Sequence, residues 1–333
     1  MVVQCVHPPT DCAEAAVWRM AVKLSQQQRT SDDQSVGCAV VVPLTLLVTC
    51  EQPFTTAGTR EQMAGFEWQS FSRLILANVA LNSAGWAAAS ALQTEKFFDI
   101  TGSATYWLML YLGVKRRHRD RSDLTPRAAA ASAAVLVWSG RLGTFLLSRV
   151  LADGQDKRFK HARKSPAQMA MFWAVQSAWV TMTALPVWLL LSRAPLAVTS
   201  RSRGATTTLD RVAAAAWIVG FATQIVADAQ KREHRASAPG KFISTGLWKL
   251  SQHPNYAGEI TMWTSLCAAC MGDQLANGAL AAAAASALSP AFVYYLLRYV
   301  SGVPLLDNLA RKRWGKDAAF HAYRAGTPVL FWM

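Results

Sequence analysis

Five polar side chains follow one another at the end of a long apolar segment. They are Gln224, Asp228, Lys231, Arg232 and Arg235, at intervals of three, four or seven residues from Asp228. This spacing predicts one broad polar face on an α-helix. A carboxylate near the membrane boundary of an apolar helix is costly unless it is paired, so it indicates a functional site. The alternative is structural, with Asp228 simply pairing with Lys231 or Arg232 at the helix end.

A second polar group marks the start of the next apolar segment, in the stretch His-Pro-Asn-Tyr-Ala-Gly-Glu at 253–259. Its proline suits the first turn of a helix, because the missing N–H would be unpaired there in any case. Asn255 and Glu259 are four residues apart and share one face of that helix start, where backbone donors point outward. Such a site can hold an amide, a ribose or a phosphate. The alternative is an interfacial helix start, with Trp248 and Tyr256 as membrane-belt aromatics.

The six cysteines predict neither a metal site nor a disulfide framework. Cys267 and Cys270 have CxxC spacing, but they lie inside an apolar helix and have no second pair. That context argues against zinc and against thioredoxin-type chemistry. We therefore expect both to be small packing residues.

The composition is typical of a membrane protein. Of 333 residues, 52% are hydrophobic and 16% are charged, whereas soluble domains carry about 25% charged residues. Disorder, collagen and a disulfide scaffold are excluded by the same numbers. The net charge of +14 comes from short basic bursts between apolar stretches, as in membrane loops, so a lipid membrane is the expected partner and nucleic acid is not.

A helix needs about 20 apolar residues to cross the hydrocarbon core. The segments that meet this need are 71–92, 128–151, 167–192, 209–228 and 257–300, the last broken by a turn at Met271–Gly278. Two weaker candidates are 36–50 and 101–114. We therefore predict an all-α, polytopic bundle of about seven transmembrane helices in a single domain, 36–333, after a polar tail, 1–35.

The loops give the expected orientation. Segments 152–166, 229–254 and 301–333 together hold fifteen Lys and Arg residues, against nine in 115–127 and 193–208. The excess predicts a cytosolic position for the first set. No apolar run follows the first few residues, so a cleavable secretory signal is not expected.

Several ordered short segments together resemble a known family. They are 98–103, 138–143, 154–159, 240–242, 245–248, 253–259, 301–307 and 323–330. They resemble the C-terminal core of the steroid 5α-reductase superfamily, and most closely its DUF1295 branch, over roughly 95–333. The resemblance implies a sterol-reductase-like fold in the endoplasmic reticulum membrane. It further implies hydride transfer from NADPH to the β-carbon of an activated double bond, such as an enone, in a lipid-like substrate that enters laterally.

The resemblance also implies the cofactor site. Residues carried over as NADPH-binding are Arg141, Arg149, Arg158, Gln224, Asp228, Arg235, Trp248, His253, Asn255, Tyr256, Glu259 and Asp307. Arginine forks recognise the oxygens of the pyrophosphate and 2′-phosphate. Carboxylates and amides can fix ribose hydroxyls and the nicotinamide amide, while the protein orients the cofactor and excludes water.

The catalytic donor departs from the family pattern. Where steroid 5α-reductases carry a tyrosine that contacts the substrate carbonyl, this chain has Trp138, whose indole N–H donates a hydrogen bond but not a proton. Trp138, Tyr256 and Asp99 are the catalytic candidates. Tyr106 and Tyr111 are alternative donors, and Asp99 is also typical of a structural residue at a helix start.

Two other functions compete with the reductase. Isoprenylcysteine carboxyl methyltransferases have a similar turn before a helix and bind S-adenosylmethionine, but the arginine-rich segment 141–158 favours phosphates over a sulfonium cation. A non-catalytic lipid-binding protein is the third possibility, and Trp138 is its best support.

Overall fold

The computed structural model describes residues 66–119, 124–154, 156, 159–160, 162–193 and 206–330. The expected tail, 1–35, the weak candidate span 36–50 and the candidate phosphate ligand Arg158 lie outside the described residues.

The described chain is helical, as expected, and within these ranges it forms no strand beyond an isolated bridge between Phe66 and Arg193. The α-helices are α1 Trp68–Leu92, α2 Phe98–Arg119, α3 Pro126–Asp153, α4 Pro166–Thr183, α5 Leu185–Leu191, α6 Thr208–Ser237, α7 Pro254–Ala276, α8 Leu280–Ser286, α9 Leu288–Tyr295, α10 Val303–Trp314 and α11 Ala318–Gly326. Short 3-10 turns occur at Ala162–Lys164 and Gly246–Lys249, and a π-helical turn occurs at Leu296–Val300.

The helix starts follow local sequence signals. Pro126, Pro166 and Pro254 each lie in the first turn of a helix, where proline removes no needed N–H. Before α6, the Thr207 side chain accepts from the N–H of Asp210 while the Asp210 carboxylate accepts from the N–H of Thr207. This capping box fixes the start of α6.

Within the part of the chain that the structure describes, four helical segments are long and apolar enough to cross a membrane. They are Trp68–Leu92, Pro126–Ala152, Thr208–Ser237 and the run Leu280–Trp314. Helices α4 and α5 are bent by 65° and make a fifth span if they are counted as one. The expected count of about seven is not confirmed: α2 ends in a basic run and α7 carries polar residues near both ends.

Two helix ends differ from the positions predicted from the sequence. The apolar segment 209–228 belongs to a helix that continues to Ser237, so the basic residues after Asp228 are helical. The predicted turn at Met271–Gly278 begins later, because α7 runs to Ala276 and the left-handed residue is Gly278, at φ 71°. Positive φ favours glycine, which has no Cβ to clash.

The helices pack around buried aromatic rings and through polar contacts between helices. The largest core surrounds Trp138, Trp188 and Trp263. Between α1 and α4, the Asn78 side-chain amide donates to the Ser177 carbonyl at 2.9 Å and to Thr181 Oγ1 at 2.8 Å. Such bonds hold helices together where water cannot compete.

Candidate functional site

Helices α3, α6 and α7 bring polar side chains into one continuous chain of hydrogen bonds, the polar chain, made of Trp138, Arg141, Gln224, Asp228, Asn255, Glu259 and Trp263. Arg141 lies at its centre. The guanidinium donates to Gln224 Oε1 at 2.9 Å and to Asp228 Oδ2 at 2.5 Å. Asn255 Nδ2 donates to the other oxygen of Asp228 at 3.4 Å. Asp228 is therefore paired across helices, not with Lys231 or Arg232 of its own helix.

The inner end of the polar chain is the carboxylate of Glu259, which is 6% exposed. Trp138 Nε1 donates to Glu259 Oε2 at 3.1 Å, and Trp263 Nε1 donates to Oε1 at 2.8 Å. The Gln224 side-chain amide also donates to Oε2. Three donors thus satisfy a carboxylate whose burial would otherwise be costly.

The helix period explains why these residues meet. Gln224 and Asp228 are one turn apart on α6, and Asn255 and Glu259 are one turn apart on α7. The two helices approach closely where Gly220 faces Gly258, since a Cβ on Gly220 would lie 2.7 Å from the Gly258 carbonyl oxygen. This glycine contact brings the two polar faces within hydrogen-bond distance.

The outer end of the polar chain contains a hydrogen-bond acceptor that has no donor among the described residues. Asn255 Oδ1 is buried and accepts no hydrogen bond from the described residues. Near it on α6, Lys231 lies over the Trp248 ring at 4.8 Å, while Arg232 and Arg235 are exposed. An acceptor without a partner beside a cationic helix end is suited to a ligand that offers N–H or O–H donors together with negative charge.

Asp307 lies at a junction between the start of α7 and α11. Its two oxygens accept from Arg324 at 2.7 and 2.6 Å. His253 Nε2 is 3.7 Å from Asp307 Oδ1, and the imidazole stacks on Tyr256 with ring centroids 5.4 Å apart. Burial lowers the pKa of His253 below its ordinary value, although the Asp307 carboxylate acts in the opposite direction. The imidazole is therefore held neutral.

Trp248 is a buried anchor in the loop before α7. Its indole N–H donates to the Ala227 carbonyl at 3.2 Å, and its own carbonyl accepts from the Tyr323 hydroxyl at 2.6 Å. Both contacts join the loop to neighbouring helices. The N–H and the carbonyl of Trp248 are therefore used within the protein. For the predicted contact with the cofactor, only the ring remains, and Lys231 lies over its face.

Two predicted residues lie in a separate ionic cluster around the loop that follows α3. Arg149 is 3.9 Å from Asp99 and 3.6 Å from Asp156. Arg149 follows Arg141 by eight residues, or about 12 Å along α3. The structure therefore does not bring Arg149 or Asp99 together with the polar chain.

Of the alternative donors, Tyr106 lies against Trp138. The two rings meet edge to face with centroids 5.3 Å apart, and the Tyr106 hydroxyl bonds Thr183 Oγ1. Tyr111 is 57% exposed. Trp263 was not predicted, although its position one helical turn after Glu259 was the available signal.

Cys267 and Cys270 are buried and unpaired, in agreement with a packing role. Among the described residues, no group of three or more His, Cys, Asp or Glu side chains is arranged to hold a metal ion.

The profile of one protein family matches residues 85–327, and its description is a protein of unknown function, DUF1295. This range includes every residue of the polar chain and covers most of the sequence. No curated protein and no solved structure matches the chain.

Proposed function

The chain belongs to DUF1295, a family of steroid 5α-reductase-like membrane proteins, and from this premise we propose that it is an NADPH-dependent oxidoreductase. Its reaction would be reduction of a carbon–carbon double bond in a steroid- or enone-like lipid. We further propose the endoplasmic reticulum membrane as its location and the seven-helix bundle of the family as its full fold.

The observation that carries the proposal is the pairing of Arg141, Asp228 and Asn255 across three helices, with Asn255 Oδ1 left unsatisfied. A dinucleotide fits this arrangement. The Asn255 carbonyl oxygen can accept from the nicotinamide amide or a ribose hydroxyl, and Asp228 can accept from a ribose hydroxyl.

The positive charge for the phosphates is available close by. Arg232 and Arg235 are exposed on the same helix end and offer fork-shaped donors suited to phosphate oxygens. Arg141 shares its guanidinium between Asp228 and Gln224. We therefore assign Arg141 mainly to positioning those two side chains.

The bound NADPH would supply the hydride. The protein would contribute a cluster of packed aromatic rings that excludes water. Trp138 packs between Tyr106 at 5.3 Å and Trp263 at 4.8 Å, which keeps water from the inner end of the polar chain. Since the Trp138 N–H donates to Glu259, we propose that Tyr106 Oη holds the proton that the α-carbon of the double bond takes up when the β-carbon receives hydride.

The test is nucleotide binding to the purified full-length protein in lipid nanodiscs. NADPH is expected to raise the melting temperature more than NADH or S-adenosylmethionine. Asp228→Asn and Asn255→Ala should each abolish this response, whereas Glu233→Gln, on an exposed position of the same helix, should retain it. A larger response to S-adenosylmethionine would favour the methyltransferase. Normal NADPH binding by both site variants would refute the placement of the site.

A non-catalytic lipid-binding protein is the second candidate, because Trp138 occupies the position of the expected tyrosine and its N–H is already bonded. NADPH binding without oxidation of NADPH in the presence of enone lipids would favour it.

A further inference from the structure

A groove of about 530 Å³ lies between α3 and α6, with residues of α7 at its base. It lies at the end of the bundle where α3 and α6 begin. Small side chains line its walls: Ala130, Ala131, Ala133 and Ala134 on α3, and Ala213 and Ala214 on α6. Val137 and Trp217 line its inner end. Its volume is typical of a small-molecule site.

The mouth of the groove is distant from the outer end of the polar chain, although Val137 at the inner end of the groove directly precedes Trp138 in the sequence. Arg211, at the mouth of the groove, precedes Asp228 by seventeen residues on α6, or about 25 Å along the helix axis. Between them, α6 and α7 are in backbone contact at Gly220 and Gly258. A headgroup bound at the mouth therefore needs no contact with Asp228 or Asn255.

Among the described residues that line the mouth, one arginine has no carboxylate partner. Arg127 pairs with Asp210 at 2.5 Å and with Asp273 at 3.1 Å, and Arg193 pairs with Asp273. These two arginines and two aspartates neutralise one another. Arg211 also lines the groove; it is exposed and has no carboxylate partner among the described residues.

The length of the groove along α3 is comparable to the hydrocarbon thickness of one bilayer leaflet. The lining of α3 runs from its N-cap, Thr125, to Val137, twelve residues or about 18 Å. One leaflet of a bilayer contributes about 15 Å of hydrocarbon. A lipid with its headgroup beside Arg211 would pack the first part of its chain along the alanines, because Trp217 lies six residues further along α6, or about 9 Å.

We propose that this groove binds one lipid that carries an anionic headgroup, a carboxylate or a phosphate. The headgroup binds Arg211 with help from the hydroxyl of Thr206, which also lines the mouth. The acyl chain packs against the alanines of α3 and α6, where larger side chains would fill the groove.

The experiment measures equilibrium binding of labelled oleate, oleoyl lysophosphatidic acid and oleyl alcohol to the full chain in phosphatidylcholine nanodiscs. Oleate, the lysophosphatidic acid or both are expected to saturate one site at least about tenfold more tightly than oleyl alcohol. Preference between the two anions identifies a carboxylate or a phosphate as the natural headgroup. Equal affinity for the alcohol would overturn the proposal.

Matched variants locate the site. Ala214→Trp fills the groove and should abolish anion binding, whereas Ala215→Trp, on an exposed neighbouring position outside the groove, should not. Arg211→Gln should weaken binding about tenfold, and Arg73→Gln, at an exposed position of α1, should leave it unchanged. The Arg211 comparison remains decisive if a tryptophan variant fails to fold. Equal binding by Arg211→Gln and wild type would exclude the groove as the anion site.

Discussion

The contact between Gly220 and Gly258 is the point at which packing controls the proposed cofactor site. An added Cβ in Gly258→Ala would lie 2.5 Å from the Gly220 carbonyl oxygen and 3.1 Å from the Gln224 backbone nitrogen. Both neighbours are backbone atoms and cannot rotate away. To reach ordinary contact at 3.4 Å, α6 and α7 must separate by about 0.9 Å at this point, the difference between 3.4 and 2.5 Å.

That displacement would break the outer end of the polar chain. The Asn255–Asp228 bond is already 3.4 Å long, and an added 0.9 Å exceeds hydrogen-bond distance. Overpacking costs about 1–3 kcal/mol and a lost interhelical hydrogen bond about 0.6–1.7 kcal/mol. Alanine is about 1 kcal/mol more favourable than glycine inside a helix, which offsets part of this cost. The net destabilisation expected is about 0.6–3.7 kcal/mol.

The control is Gly272→Ala on the same helix. The Cβ added there would meet the end of the Leu209 side chain at 2.7 Å, and that side chain can rotate. We expect this variant to be neutral or up to about 1 kcal/mol more stable. Reversible unfolding by SDS in mixed micelles measures both variants, and the NADPH-induced rise in melting temperature should be lost only in Gly258→Ala. Equal stability and equal NADPH response in the two variants would refute the reasoning.

Three further predictions concern individual side chains. The guanidinium of Arg163 and the backbone N–H of Asp156 hold the pKa of Glu95 below its usual 4.5 against the opposing effect of burial. Stability from Glu95 is therefore present above pH 4.5 and lost below it, and Glu95→Gln should flatten the unfolding profile in that acid range. His253 has a lowered pKa, so stability should decline as pH falls below about 6.5, and His253→Gln should remove this decline in melting temperature while His321→Gln should not. Trp138→Phe removes a donor to Glu259 and should destabilise by about 1–3 kcal/mol in the SDS assay; a value near zero would contradict the assigned hydrogen bond.

The sequence predicted which residues of α6 and α7 share a face because that depends only on helical period. Gln224 and Asp228, like Asn255 and Glu259, do lie one turn apart on the same side of a helix. The partner of Asp228 could not be predicted in this way. Arg141 is 87 residues away in the sequence and belongs to another helix, so only the packing of α3 against α6 makes the pair.

The extent of the helices was predicted less well than their positions. Hydropathy detects the residues that tolerate hydrocarbon, and a helix continues where its backbone bonds can still form. Helix α6 therefore continues through Lys231 and Arg235 to Ser237, although the apolar segment ends at 228. The resemblance placed Arg149 with the cofactor, and Asp99 was a candidate catalytic donor. Both belong instead to the cluster around Asp156, whose loop geometry no periodic pattern encodes.

The pairing of Arg141 also changes how the basic charge of this protein should be interpreted. A guanidinium that donates to both Asp228 and Gln224 has little net charge to offer a phosphate, and its fork is already used. Its stronger effect is geometric, because it fixes Asp228 and, through Gln224, the donors around Glu259. In the proposed site, the charge that attracts a dinucleotide would then come from the exposed arginines one and two turns further along α6. In the proposed site, α6 supplies the attraction through its exposed arginines, and Arg141 of α3 supplies the orientation. The partly buried ion pair between α3 and α6 is then explained by the ligand geometry that it would hold in place.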